Sequence, residues 1–225
     1  DFGVFEIGMD KKGEIKNLSK IVKPEIAVIT NISEAHFKNF NTLKDIAKAK
    51  AEIIENISDG GSIILNRDDK FFNFLFNKSL KREVNIVSFS SKRKADVFLL
   101  ESRKFNNYYR LKILVKNKMF FFKTKYCTNN LINNILACIS VLSILNLDLF
   151  KMKKKFTNFN TPSGRGDISL IRMFKKKFKF IDESYNANPL SMKSAITNLN
   201  NYKSKNNVKK LAFLGDMLEL GKKTK

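Results

Sequence analysis

Short apolar runs separated by stretches of helical periodicity constrain this chain more than any other feature. "GVFEIGM" begins at Gly3, "EIAVIT" at Glu25 and "SIILN" at Ser62. Each is too short for a buried helix and reads as a strand with both faces covered. Between them lie a short amphipathic helix over "EIKNLSKIV", stopped before Pro24, and a longer one from about Thr42 to Asn56. Thr42 is placed to cap the second helix, with Asp45 where a capping box wants an acid. A third helix is expected over "DDKFFNFLFNKS". Strands joined through helices can run parallel, so the expected fold is α/β with a mostly parallel sheet.

The pattern changes near Val84. "NIVSFS", "ADVFLLES", "YYRLKILVK" and "KMFFFKTK" follow one another without helices. They predict a small, mostly antiparallel insert or edge. A long apolar helix is expected from Asn129 to Leu147, and "FTNFNTPSGRGD" reads as a linker. The predicted domains are therefore 1–160 and 161–225. The second should open with strand "FKFID", helix "PLSMKSAITNLNNY" and strand "KKLAFLGD", one βαβ unit of a further α/β domain. The chain starts without Met, inside an apparent strand, and is expected to be part of a longer protein.

Lys and Arg total 43 against 21 Asp and Glu, a net charge of +22. These cations are spread along the chain among Asn, Ile and Phe. They read as a compositional bias rather than a binding patch, so no nucleic-acid partner is expected. No run of eighteen apolar residues predicts a membrane span. Cys127 and Cys138 have neither metal-ligand spacing nor the density of a disulfide framework, which suggests a reducing cytoplasm.

Lys50 is the sharpest anomaly. Leu43, Ile46, Ala47, Ile53, Ile54 and Ile57 form the apolar stripe of the longer helix, and Lys50 falls in its middle. Either its amine snorkels to the surface or it is desolvated and reactive. Glu6 stands near the C-terminal end of an expected strand, the edge where open α/β sheets bind ligands; a hard cation suits it, as does an ordinary salt bridge. His36, the only histidine, follows another strand end and reads as a loop residue or a ligand. Asn66 precedes Asp68 and Asp69. Arg165 lies in the Gly-flanked turn "SGRGD", where a guanidinium can reach a phosphate. "DESYNANP" joins a strand to a helix that Asn188 can cap and Pro189 can begin. No G-x-x-x-x-G-K-[ST] phosphate loop occurs, and "GDMLELGKK" is a false near-match.

Taken in order, "EIGM", "KPEIAVITNISEAH", "IAKAKAEI", "LNRDD", "GR", "DESYNANPLSM" and "LGDMLELG" resemble the Mur ligases of peptidoglycan synthesis. The last two are most similar to the member that joins D-alanyl-D-alanine to UDP-N-acetylmuramoyl-tripeptide, in the cytoplasm, at the expense of ATP. The resemblance implies a central ATPase domain and the start of a Rossmann-like third domain. It makes Lys50, His36 and Arg165 catalytic positions. It assigns Mg2+ to Glu6 and His36, joined by Lys50 if that residue is carbamylated. It places Asn31, Asn66, Asn130, Asn133, Arg165, Asp182 and Glu183 near the nucleotide, and Tyr185, Asn186 and Asn188 near the dipeptide. A monomer is expected. The sequence departs from the family at "CTNNLINN", where Cys127 and Asn129 replace a glycine and a histidine, and at Glu183, which replaces an aspartate. Without a phosphate loop, these 225 residues are expected not to ligate by themselves. The competing readings are another Mur-type or folylpolyglutamate-type ligase, a non-catalytic basic binding protein, and an inactive product of a decayed gene.

Overall fold

The computed structural model describes residues 1–33, 39–159, 162–202 and 209–217. They fall into two compact units, one of Asp1–Ser33 with Asn39–Phe159 and the other from residue 162 onward. In the first, six strands form one sheet in sequence order. β1 (Ile26–Ile29), β2 (Ser62–Asn66), β3 (Asn85–Ser90) and β4 (Val97–Lys104) run parallel. β5 (Tyr109–Val115) and β6 (Lys118–Thr124) continue it antiparallel. Of the two expected arrangements, insert or edge, the antiparallel strands thus form an edge of the main sheet. β4 joins by pairing only Val97 and Phe98 with the end of β3, and Asp96 anchors that junction by accepting from Ser88 N–H (2.8 Å) and Oγ–H (2.6 Å).

The period of two in the central strands sorts their side chains to two cores. Ala27, Ile29, Ile63 and Leu65 face α1 (Glu14–Val22), α2 (Leu43–Lys50) and α3 (Phe72–Lys81). Ile64 and Phe89 face the other way, with Leu111, Ile113 and Phe122, beneath α4 (Asn129–Ile144) and α5 (Leu149–Thr157). All five residues of β2 are buried, including its polar ends Ser62 and Asn66, as the apolar run between them predicts.

Four expectations are corrected. The run at residues 1–9 is not a strand: the sheet ends at β1, no ladder reaches these residues, and Val4 and Phe5 lie exposed. Apolar side chains do not hold a strand that has no hydrogen-bonding neighbour. The helix expected over Thr42–Asn56 is α-helical only through Lys50 and tightens into a 3-10 segment, Ala51–Asn56. The run "KKLAFLGD" forms no strand within its described residues, and Leu211 and Phe213 are exposed. In place of a βαβ unit, the second unit opens with an antiparallel hairpin, β7 (Asp167–Met173) and β8 (Lys176–Asp182), followed by α6 (Pro189–Asn201).

Candidate active site

The parallel strands β1, β2 and β3 deliver their C-terminal ends to one edge, and three side chains at and just after the end of β2 lace the following loops together. Asn66, 6% exposed, donates from Nδ2 to the carbonyl of Thr30 (3.0 Å) and accepts from Asp68 N–H (2.9 Å). Asp68 takes the Ser90 hydroxyl (2.7 Å), the Ser91 N–H (2.7 Å) and the Ser91 hydroxyl (3.0 Å). Asp69 takes the N–H of Ile32 at 2.7 Å and of Phe71 at 2.8 Å. A rigid, polar strand-end edge of this kind is where α/β sheets bind ligands.

Lys50 closes this edge from α2. The capping box expected at Thr42 and Asp45 is formed and starts the helix. The last α-helical residue is Lys50, half-buried, with Nζ donating to the backbone carbonyl of Asn31 at 2.9 Å. Burial pushes its pKa below the usual lysine range, and the carboxylate of Asp69 pulls in the opposite direction. The arrangement keeps an amine oriented and poorly hydrated, which favours its neutral, nucleophilic form. Asn31 enters this contact through its backbone.

Glu6 lies exposed in the irregular segment before α1, and His36 lies outside the described residues. Among the described residues no three His, Cys, Asp or Glu side chains gather in a way that would hold a metal ion.

Asn130 and Asn133 lie in the first two turns of α4, which Thr128 caps by accepting the N–H of Leu131 at 3.2 Å. Asn130 is exposed. The Oδ1 of Asn133 is buried with no hydrogen-bond partner among the described residues. Such an orphaned acceptor is uncommon and costly. It fits a site whose donor arrives with a ligand.

In the second unit, the turn before β7 and the turn after β8 interlock. The N–H of Tyr185 donates to the carbonyl of Gly164 (3.1 Å), and that of Gly166 to the carbonyl of Asp182 (2.6 Å). Both glycines have positive φ, 76° and 86°. This brings Arg165 over the ring of Tyr185, 4.2 Å from its centroid, so two residues singled out from distant motifs meet. The hydroxyl of Ser184, and after it the N–H of Ser184 that Asp182 accepts at 3.0 Å, hold the Asp182 carboxyl below the usual range. Glu183 is pushed up by partial burial and by the charges of Asp182 and Asp167. Asn188 caps α6, taking the N–H of Ser191 at 2.8 Å, and its own N–H donates to the Ser191 hydroxyl at 2.9 Å. Asn186 is exposed.

Asp68 and Asp69 had no role of their own in the sequence reading, although two adjacent carboxylates just beyond a buried strand were the available signal. A groove of about 670 Å³ between α3 and the β3–β4 loop, lined by Arg67, Phe72, Lys94 and Asp96 among others, contains none of the residues singled out above.

The family described as the Mur ligase middle domain matches residues 1–142. Over 222 residues the chain is 32% identical to the UDP-N-acetylmuramoyl-tripeptide--D-alanyl-D-alanine ligase of Rickettsia prowazekii, covering 98% of this chain and 48% of that one. Among solved structures it is similar to MurF from Acinetobacter baumannii, with a TM-score of 0.75 and 28% identity over 85% of this chain and 41% of that one. It is also similar to the MurF ligase of Thermotoga maritima in complex with ADP, with a TM-score of 0.72 and 25% identity over 89% of this chain and 44% of that one. The chain spans about half the length of the curated relatives it matches.

Proposed function

Because the chain belongs to the Mur ligase family, we propose that it serves an ATP-dependent enzyme joining D-alanyl-D-alanine to UDP-N-acetylmuramoyl-tripeptide. The observation that carries this reading is the Lys50 amine, half-buried and held on the Asn31 carbonyl at the strand-end edge. In the first step the γ-phosphoryl group of ATP passes to the terminal carboxylate of the tripeptide, giving an acyl phosphate and ADP. In the second the dipeptide amine attacks the acyl carbon. A C–N bond forms, the C–O bond to phosphate breaks, and phosphate and a proton leave. Catalysis of such steps is chiefly positioning and charge stabilisation.

Each candidate residue takes a part suited to its chemistry. Arg165, stacked but exposed, reaches the phosphates as a planar donor. Asp182 and Glu183 accept from the ribose hydroxyls. Asn31, Asn66, Asn130 and Asn133 serve the nucleotide side. Tyr185, Asn186 and Asn188 serve the dipeptide. The neutral Lys50 amine attacks carbon dioxide, forms an N–C bond and releases a proton, leaving a carbamate whose negative charge replaces the buried cation. The family's magnesium positions correspond to Glu6, His36 and carbamylated Lys50. The described residues do not assemble a site that fits the ion, and no step here runs through it. The protein is proposed to act as a cytoplasmic monomer, and no helix among the described residues is long and apolar enough to cross a membrane.

The test is phosphate release from ATP by the full-length protein with UDP-N-acetylmuramoyl-tripeptide, with and without D-alanyl-D-alanine. Release that requires the dipeptide supports the reading. Release that ignores the dipeptide but follows another amine would assign the chain to a different ligase of the family.

A further inference from the structure

Two of the contacts described above meet on a single peptide group. The carbonyl that receives Lys50 Nζ belongs to Asn31, and the N–H that donates to Asp69 Oδ2 belongs to Ile32. These are the two ends of the Asn31–Ile32 peptide bond. A trans peptide is planar, with C=O and N–H pointing in opposite directions. Fixing one end therefore fixes the other. The 2.7 Å bond from Ile32 N–H to a carboxylate is charge-assisted and strong. It also polarises the peptide and makes the carbonyl a better acceptor for the amine.

Asp69 is itself well anchored. Its second oxygen takes the N–H of Phe71 at the start of α3. Next to it, Asn66 fixes the carbonyl of Thr30, the residue before Asn31. The β1 loop is thus held at two consecutive peptides by side chains from the β2 loop. We propose that Asp69 is a positioning residue for Lys50, acting through the Asn31–Ile32 peptide to hold the amine where its carbamate forms. The hydrogen bonds of Asp69 go to the N–H groups of Ile32 and Phe71, and it reaches the amine through the peptide. Its charge is nonetheless felt at Lys50, against the larger lowering by burial.

The inference rests on the ligase reading, and its test separates the two. The full-length protein, its Asp69→Ala and Asp69→Asn variants and a Lys50→Ala blank are equilibrated with 13C-bicarbonate. The lysine carbamate carbon is quantified by 13C NMR, and ligation kinetics are read on the same samples. Asp69→Ala is expected to lose most of the Lys50-dependent signal and to lower kcat about 10–100-fold, the usual effect of removing a residue that orients another, with the KM for ATP roughly unchanged. Asp69→Asn keeps one oxygen acceptor and falls between, which preserves the test if Asp69→Ala folds poorly. An unchanged carbamate signal in the Asp69 variants, with or without a lower melting temperature, overturns the inference. So does a natural protein that ligates with no Lys50-dependent carbamate. If the natural protein shows no dipeptide-dependent phosphate release, the ligase reading itself has failed, and this inference fails with it.

Discussion

Both carboxylate oxygens of Glu52 accept the backbone N–H of Gly13, at 2.9 and 3.1 Å, although the two residues are 39 positions apart. One of those oxygens also takes the N–H of Lys16 at 3.1 Å. Gly13 is the N-cap of α1 and has no side chain to serve the free donors of the first turn. Glu52 supplies the cap from the 3-10 segment, and a carboxylate also suits the positive end of the helix dipole.

Glu52 is 8% exposed, so removing it leaves the half-buried N–H of Gly13 and the N–H of Lys16 without their acceptor. Glu52→Ala is expected to destabilise the full-length protein by about 1–3 kcal/mol. Glu52→Gln, which keeps one acceptor, should cost less. Urea unfolding of both variants reads the difference. An Ala variant as stable as the natural protein would show that water caps α1 equally well.

Lys50 predicts a pH dependence of definite sign. Burial lowers its pKa in the folded state below the ordinary lysine value of 10.5. Between those two values the unfolded chain binds more protons than the folded one, so stability contributed by this residue rises with pH. Below the lowered pKa, the folded state carries the full cost of a desolvated ammonium. Lys50→Met removes that cost while keeping the volume of the side chain. In carbon-dioxide-free buffer the Met variant is expected to be the more stable at pH 7, and its advantage should shrink towards pH 10. Urea midpoints at four pH values decide the matter, and a gap independent of pH would mean that the amine is fully hydrated. Ligation by Lys50→Met should be lost throughout.

The parallel part of the fold was legible because β2 is buried on both faces, β1 is buried on one and half-buried on the other, and both carry almost unbroken apolar sequence. Lys50 was legible as a cation on an apolar stripe. The hairpin of β7 and β8 was not legible, for a local reason. Its two-residue turn places Phe174 and Lys175 at φ 50° and 58°, a geometry that sequence normally signals with Asn-Gly. The equivalent turn between β5 and β6 contains Asn117, and those strands were anticipated. Asp69 was hidden for a different reason. Its partners are backbone amides, that of Phe71 two residues on and that of Ile32 in a loop 37 residues away, and a backbone donor leaves no mark on sequence pattern. The run at residues 1–9 shows the converse error, in which strand-like composition lacked a ladder to join.

Asn133 separates stability from nucleotide recognition. Its Oδ1 is buried without a partner among the described residues, so the folded state bears a desolvation cost with no compensating bond. Asn133→Leu has similar shape and removes the orphaned acceptor. Its stability is expected to match the natural protein or exceed it by up to about 1 kcal/mol. If the acceptor serves the nucleotide, the KM for ATP should rise about tenfold, the equivalent of about 1.4 kcal/mol of lost binding. Thermal unfolding and ATP titration of phosphate release test both halves. A variant that loses stability while keeping its KM would place the partner of Asn133 within the protein.

Gly164 is the residue on which the Arg165–Tyr185 stack depends. Its φ is +76°, where a side chain is strained, and an added Cβ would lie 3.0 Å from both the N and the Cβ of Tyr185. Backbone on one side and a ring-bearing carbon on the other leave little freedom to yield. Gly164→Ala is therefore expected to cost about 1–3 kcal/mol locally and to part the two turns, breaking the bond from Tyr185 N–H to the Gly164 carbonyl. Arg165 would then lose the ring that orients it. Limited proteolysis should cut the 162–167 turn faster, and the KM for ATP should rise if Arg165 binds the phosphates. Gly8→Ala is the control: Gly8 has no heavy atom within 4 Å of an added Cβ and no positive φ, so that substitution should leave both measurements unchanged. Faster cleavage with an unaltered KM would keep the packing argument and remove Arg165 from the phosphate site.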